Sequence, residues 1–187
     1  TMHATSAQHL ENAQIVAVCD VKKDRADKAS EKYNCKSYCD YKEMIKNEKL
    51  DVVHVCVPHY LHPIISKYAL EHGVNVLCEK PITVNYALSV EMAEEAKRQG
   101  KILDIGVCNR YQKSVEMLRE WADAGKFGNI YHVYCSFRDF RNIPGLGGAF
   151  TTKAQSGGGV LIDWGIHFLD LILYVLGGAK IKSVTCD

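Results

Sequence analysis

Two separated stretches of this 187-residue chain hold the residue types best able to do chemistry. In the first, a short apolar run ends in Glu79-Lys80-Pro81. Proline lacks an N–H and fixes the turn, so the Lys80 ammonium should project at the carboxyl edge of a sheet, where α/β folds bind ligands. The competing reading is a solvated lysine in a strand-to-helix loop. In the second stretch, Asp163, His167 and Asp170 fall at i, i+4 and i+7 of an apolar segment that follows Gly157, Gly158 and Gly159. That spacing puts all three on one side of a helix otherwise made for burial. A buried ionisable group requires a partner or a function: proton transfer at His167, or an Asp–His pair that only holds structure. Asp20 closes the run Ile15 to Cys19, where a carboxylate can accept both hydroxyls of an adenine ribose or can cap the next helix. His59 and His62 form an H-x-x-H pair, but no Asp, Glu or Cys at a suitable spacing completes a four-ligand set, so no metal is expected.

The elements that must position these groups follow from hydrophobic pattern. Gln14 to Cys19, Asp51 to Val57, Asn75 to Cys78 and Lys101 to Val107 are Val- and Ile-rich runs with little alternation, as in parallel strands covered on both faces. Between them Lys23 to Tyr33, Tyr41 to Asn47, Pro63 to Glu71 and Asn85 to Gln99 read as helices, the last closed by Gly100. Strands alternating with helices predict an α/β fold, a Rossmann-like doubly wound parallel sheet over residues 1–110. The pattern then changes. Residues 111–187 open with a helix from Ser114 to Ala124 and a long strand candidate from Ile130 to Phe140. A loop from Arg141 to Gly159 holds seven Gly or Pro residues, and an apolar helix and a strand candidate from Lys180 follow, as at the start of an α+β substrate domain.

A dinucleotide fold opens on a strand and a Gly-rich turn that carries the pyrophosphate, whereas this chain opens inside what reads as the following helix. The sheet is therefore expected to be truncated, without its first, central strand, and the chain to be an internal piece of a longer protein, inactive by itself. Charge excludes other classes: 23 Lys and Arg against 22 acidic residues give no basic field for nucleic acid or an anionic membrane. The longest apolar segment, Val160 to Leu176, is interrupted by Asp163, His167 and Asp170, so a buried helix is expected rather than a membrane span. Eight cysteines with no paired C-x-x-C, several inside apolar runs, together with the absence of a signal-peptide pattern, suggest a reduced, cytoplasmic protein.

The run Val55 to Thr83 and the run Ser156 to Tyr174 together resemble the glucose-fructose oxidoreductase and inositol dehydrogenase family, Gfo/Idh/MocA. Glu79-Lys80-Pro81 matches the family's Glu-Lys-Pro, and Asp163 with His167 matches its Asp-x-x-x-His. Val57, Pro58 and His59 stand where the family has a Thr-Pro-Asn-like turn beside the nicotinamide, so the hydrogen bonds of that Asn are replaced here; His62 matches a following His. The resemblance implies an NAD(P)-dependent oxidoreductase that transfers a hydride between the cofactor and a secondary hydroxyl of a sugar, polyol or glycoside. It assigns Lys80, Asp163 and His167 to catalysis, with His167 as the proton-transfer residue. The cofactor set is Asp20, Val57, Pro58, His59, His62, Glu79, Lys80 and Arg110, with NAD favoured over NADP by the Asp20 carboxylate, against which the nearby cations Lys22 and Lys23 could favour a 2′-phosphate. Arg110 has a rival reading as a surface charge near a domain junction, and Asp170 fits the helix pattern as a structural group. Arg138 and Lys153, with Asp163 and His167, are the substrate-binding candidates, and Phe150-Thr151-Thr152-Lys153 resembles members that act at the 3-position of glycosides. A homo-oligomer is implied for the full-length protein. Two rival activities stay open: an NAD-dependent glycosidase or glycoside 3-oxidase using transient oxidation, and a catalytically inactive nucleotide-binding regulator.

Overall fold

The computed structural model describes residues 2–138 and 148–185. Contacts divide the chain into two compact units: one comprises the residues up to Val57 and Leu61–Ile105, the other Pro58–Tyr60 and the residues from Gly106 onward. The turn that carries Pro58 and His59 thus groups with the later residues, as does Arg110.

The first unit alternates helices and strands: α1 (Met2–Ala7), β1 (Ala17–Cys19), α2 (Lys23–Tyr33), β2 (Lys36–Tyr38), α3 (Tyr41–Asn47), β3 (Val52–Val55), α4 (His62–Glu71), β4 (Asn75–Cys78), α5 (Tyr86–Gln99) and β5 (Leu103–Ile105). Local chemistry sets the ends. Asp40 accepts from the Lys42 N–H at 2.8 Å to start α3, and Asn85 accepts from the Ala87 N–H at 2.9 Å to start α5. Gly100, at φ 62°, supplies the left-handed residue that closes α5. The four strands expected in this unit are present, each within the expected run. β2 was not expected, because three residues reading Lys-Ser-Tyr have no apolar run to announce them.

All strand pairs are parallel, and they form two sheets rather than one: β1 with β2, and β3–β4–β5 in that order. Among the described residues β1 pairs only with β2, and β3 only with β4. The core lies where α3, α4 and α5 cover β3 and β4; Leu70, Ala69, Met92, Val76 and Cys78 are all at 0–1% exposure there. One expectation needs correction. β3 is covered on one face only, with Val53 and Val55 buried while Val52 and His54 are exposed. Helices reach one side of it, and on the other the described contact is the edge of the His3 ring against His54, 5.3 Å between centroids.

The second unit holds α6 (Lys113–Asp123), the four-residue α7 (Lys153–Ser156), a π turn over Leu161–Gly165 and α8 (Ile166–Val175). α6 packs on α8. Residues 130–138 and 180–185 carry the apolar alternation of strands but make no ladder among the described residues; the end of the first candidate, residues 139–140, and the loop to 147 lie outside them. A strand needs a partner for its backbone groups, which pattern alone cannot supply. The expectation of a buried apolar helix is likewise corrected: His167 is the buried residue of α8, while Val160, Leu161 and Leu169 are 73%, 57% and 49% exposed. By length and composition Lys153–Val175 is apolar enough to cross a membrane.

Candidate active site

Within the first unit, the carboxyl ends of β1, β3 and β4 bring the expected cofactor residues to one edge of each sheet. Asp20 follows β1; its N–H donates to Tyr38 O at 3.1 Å and its Oδ1 accepts from the Lys22 N–H at 2.8 Å. That turn at the start of α2 satisfies one carboxylate oxygen and leaves Oδ2 without a hydrogen bond among the described residues. The capping and ribose-binding readings are therefore compatible. Of the neighbouring cations, Lys23 is committed to Asp27 at 2.6 Å, which raises its pKa through that hydrogen bond.

Glu79 and Lys80 follow β4, with Lys80 half-buried and the Lys80–Pro81 peptide cis. Glu79 is held from two sides: Oε1 accepts from His3 Nε2 at 2.6 Å and Oε2 from the Lys80 N–H at 3.0 Å. The Nδ1 atoms of His3 and His54 lie 3.3 Å apart. His3 escaped the sequence reading, since a lone histidine in a short polar helix carries no spacing signal. Burial is the main cause that pushes the thiol of Cys56, beside Val57, up to about 11, and it pushes Cys78 up to about 12. Both thiols stay protonated; Cys78, at 0% exposure, serves as apolar filler, whereas Cys56 is exposed at the surface. Among the described residues no three His, Cys, Asp or Glu side chains are grouped to hold a metal.

His62 differs from expectation. It is wholly buried, and both its ring nitrogens are on backbone carbonyls, Nδ1 at 2.7 Å from Pro81 O and Nε2 at 2.9 Å from Val57 O. Those nitrogens therefore point at the protein's own turns rather than at a cofactor.

Within the second unit, His59 is buried and its Nδ1 donates to Ser156 O at 3.0 Å, while Ser156 Oγ donates to Gly158 O at 2.9 Å. The histidine that replaces the family's Asn thus fixes the approach to the glycine loop. Gly157 has φ 78°, a left-handed conformation, and a Cβ on Gly158 would lie 2.6 Å from Ile162 Cδ1. The chain then enters the π turn, which contains Asp163. Single π turns inside helices are rare and frequent at functional sites. His167 and Asp170 both lie on α8, three residues apart, while Asp163 lies in the π turn before it.

His167 is 9% exposed on the first turn of α8, near Trp164, 6.0 Å between ring centroids. Phe137 stacks on Trp164 at 4.7 Å and lies 4.9 Å from Phe168, giving this end of the helix an aromatic wall. Asp170 takes a different partner. Arg110, expected on the cofactor side, forks onto it with Nε donating to Oδ2 at 2.6 Å and Nη2 donating to Oδ1. The Arg110 guanidinium also sits 5.2 Å from the centre of the Tyr174 ring. That fork raises the Arg110 pKa and marks the pair as a structural tie. Lys153 begins α7 and is exposed; Arg138, also exposed, ends the described part of its segment.

The chain belongs to an oxidoreductase family. Residues 1–107 match the GFO_IDH_MocA oxidoreductase family, NAD-binding Rossmann fold, and residues 115–187 match the GFO/IDH/MocA C-terminal domain. It is 38% identical over 184 residues to D-glucoside 3-dehydrogenase of Escherichia coli strain K12, covering 98% of this chain and 52% of that protein. It is 29% identical over 188 residues to myo-inositol 2-dehydrogenase of Thermotoga maritima, covering 100% of this chain and 54% of that protein. The crystal structure of an NAD-binding protein from Listeria innocua superposes with a TM-score of 0.82 at 28% identity, over 93% of this chain and 50% of that one. The chain thus spans about half the length of the relatives it matches.

Proposed function

We propose that the full-length protein oxidises a secondary hydroxyl of a sugar or glycoside, reversibly, with NAD as hydride acceptor. The observation that carries this reading is His167: an ionisable ring buried against aromatic side chains on an apolar helix that opens on a π turn. Identity of 38% to a glucoside 3-dehydrogenase supports a glycoside hydroxyl as the point of reaction.

The described residues fit the cofactor. Asp20 offers an open carboxylate oxygen at a strand's carboxyl end, suited to a ribose diol, and with Lys23 engaged by Asp27 a 2′-phosphate gains little there. Val57, Pro58 and Glu79 complete the proposed cofactor set by position. When bound, the nicotinamide supplies the hydride acceptor. His167 takes the hydroxyl proton, Asp163 orients it or the substrate, and Lys80 donates a hydrogen bond to the reacting oxygen as negative charge develops. Arg138 and Lys153 are assigned to the substrate. Free thiols throughout the described residues support a reducing, cytoplasmic location, and exposed apolar side chains such as Tyr131 and Tyr134 support a homo-oligomer. The test is reduction of NAD by the full-length protein across glycosides, sugars and polyols. Turnover confined to glycosides supports the reading, and no reduced cofactor with any of them sinks it.

A further inference from the structure

The two contacts of His62 set a problem of proton count. Its partners, Pro81 O at 2.7 Å and Val57 O at 2.9 Å, are both carbonyl oxygens, which only accept. A neutral imidazole has one N–H, so its second nitrogen would turn a lone pair onto a carbonyl lone pair inside a site with 0% exposure. Flipping the ring does not help: it puts carbon at both positions and loses both bonds. Only a ring protonated at both nitrogens satisfies both carbonyls.

We propose that His62 is held as an imidazolium and acts as a positioning residue, its two N–H groups tying the end of β3 to the turn that carries Lys80. Val57 follows β3 and Pro81 adjoins Lys80, so a single rigid ring fixes the separation of the two turns. The turn that His62 holds carries one group of each sign, Glu79 and Lys80, and Cys56, beside Val57, is a neutral thiol. On α4 and the α5 packed against it, Lys67 is paired with Glu91 and Glu95 with Arg98. The two carbonyl dipoles at its nitrogens favour the cation and oppose the cost of burying it. The functional part of this inference rests on the role proposed for Lys80.

Neutron diffraction from crystals of the full-length protein near neutral pH decides the protonation without any variant. Deuterium on both Nδ1 and Nε2 is expected; deuterium on one nitrogen only overturns the proposal. For function, His62→Gln cannot present two opposed donors, and displacement of the Lys80 turn should lower kcat on the order of 10²-fold, with NAD affinity nearly unchanged. In a Lys80→Ala background the same substitution should add little further loss. A full additional loss there overturns positioning through Lys80. If Lys80→Ala by itself retains normal turnover, the catalytic reading of Lys80 fails, and the imidazolium is still decided by its deuterium count.

Discussion

The geometry of the Asp20 carboxylate is compatible with both of its readings. One oxygen organises the turn into α2 and the other remains open at the strand's end. Repulsion between that carboxylate and a 2′-phosphate should make the full-length protein prefer NAD over NADP, and Asp20→Ala should narrow the preference, as read by the ratio of the two dissociation constants. An unaltered protein that binds NADP as well as NAD would put Lys22 in control instead. His167 sits at the same scale. Its replacement by Ala should cost ~10²-fold to 10⁴-fold in kcat with little change in NAD affinity, because the lost interaction acts on the substrate's proton. Near-normal turnover in that variant would make it a packing residue.

At the scale of elements, the Arg110–Asp170 fork ties the turn before α6 to α8, and Tyr174 lies against the same guanidinium. The Asp170 side chain is 14% exposed and that of Arg110 40%, between the exposed pairs that contribute little and the buried ones whose breaking is severe. Arg110→Ala should therefore destabilise by about 1–2 kcal/mol, measured by denaturant titration. If instead it abolishes NAD binding with stability intact, Arg110 belongs to the cofactor site after all. Helix α5 carries a pH dependence. Hydrogen bonds from Arg98, then Gln99, hold the Glu95 carboxyl below its usual range. A lowered folded pKa favours the ionised form in the folded state. The contribution is thus full above the unfolded value, about 4.3, and is lost as pH falls through the lower folded value. Glu95→Gln should flatten the acid limb of the stability curve, and an unchanged limb would assign acid sensitivity to other carboxylates.

For the whole molecule, the open sheet decides behaviour. Among the described residues β1 and β3 each present an unpaired parallel edge, and the apolar helical region from Val160 is largely exposed. Both features invite association. We expect this 187-residue chain to self-associate and to bind NAD weakly in calorimetry, because its described strands form two separate sheets, whereas a doubly wound sheet carries the pyrophosphate on a turn within one continuous sheet. A cooperative melt with tight NAD binding would show that the two half-sheets suffice.

By itself the sequence determined the features that repeat or carry a local signal. Val-rich runs placed β3 and β4, caps at Asp40, Asn85 and Gly100 placed helix ends, and Glu79-Lys80-Pro81 with Asp163 and His167 pointed to the family. β2 was not legible, since a three-residue strand is made by its neighbour's backbone rather than by its own side chains. Nor were the partners of polar groups. Whether Arg110 meets a cofactor or Asp170, whether His62 faces a ligand or two carbonyls, and whether His3 reaches Glu79 depend on which distant backbone the fold brings within 3 Å. The π turn at Leu161–Gly165 was hidden for a related reason: residue spacing assumes a helical period, and only the packed chain sets that period.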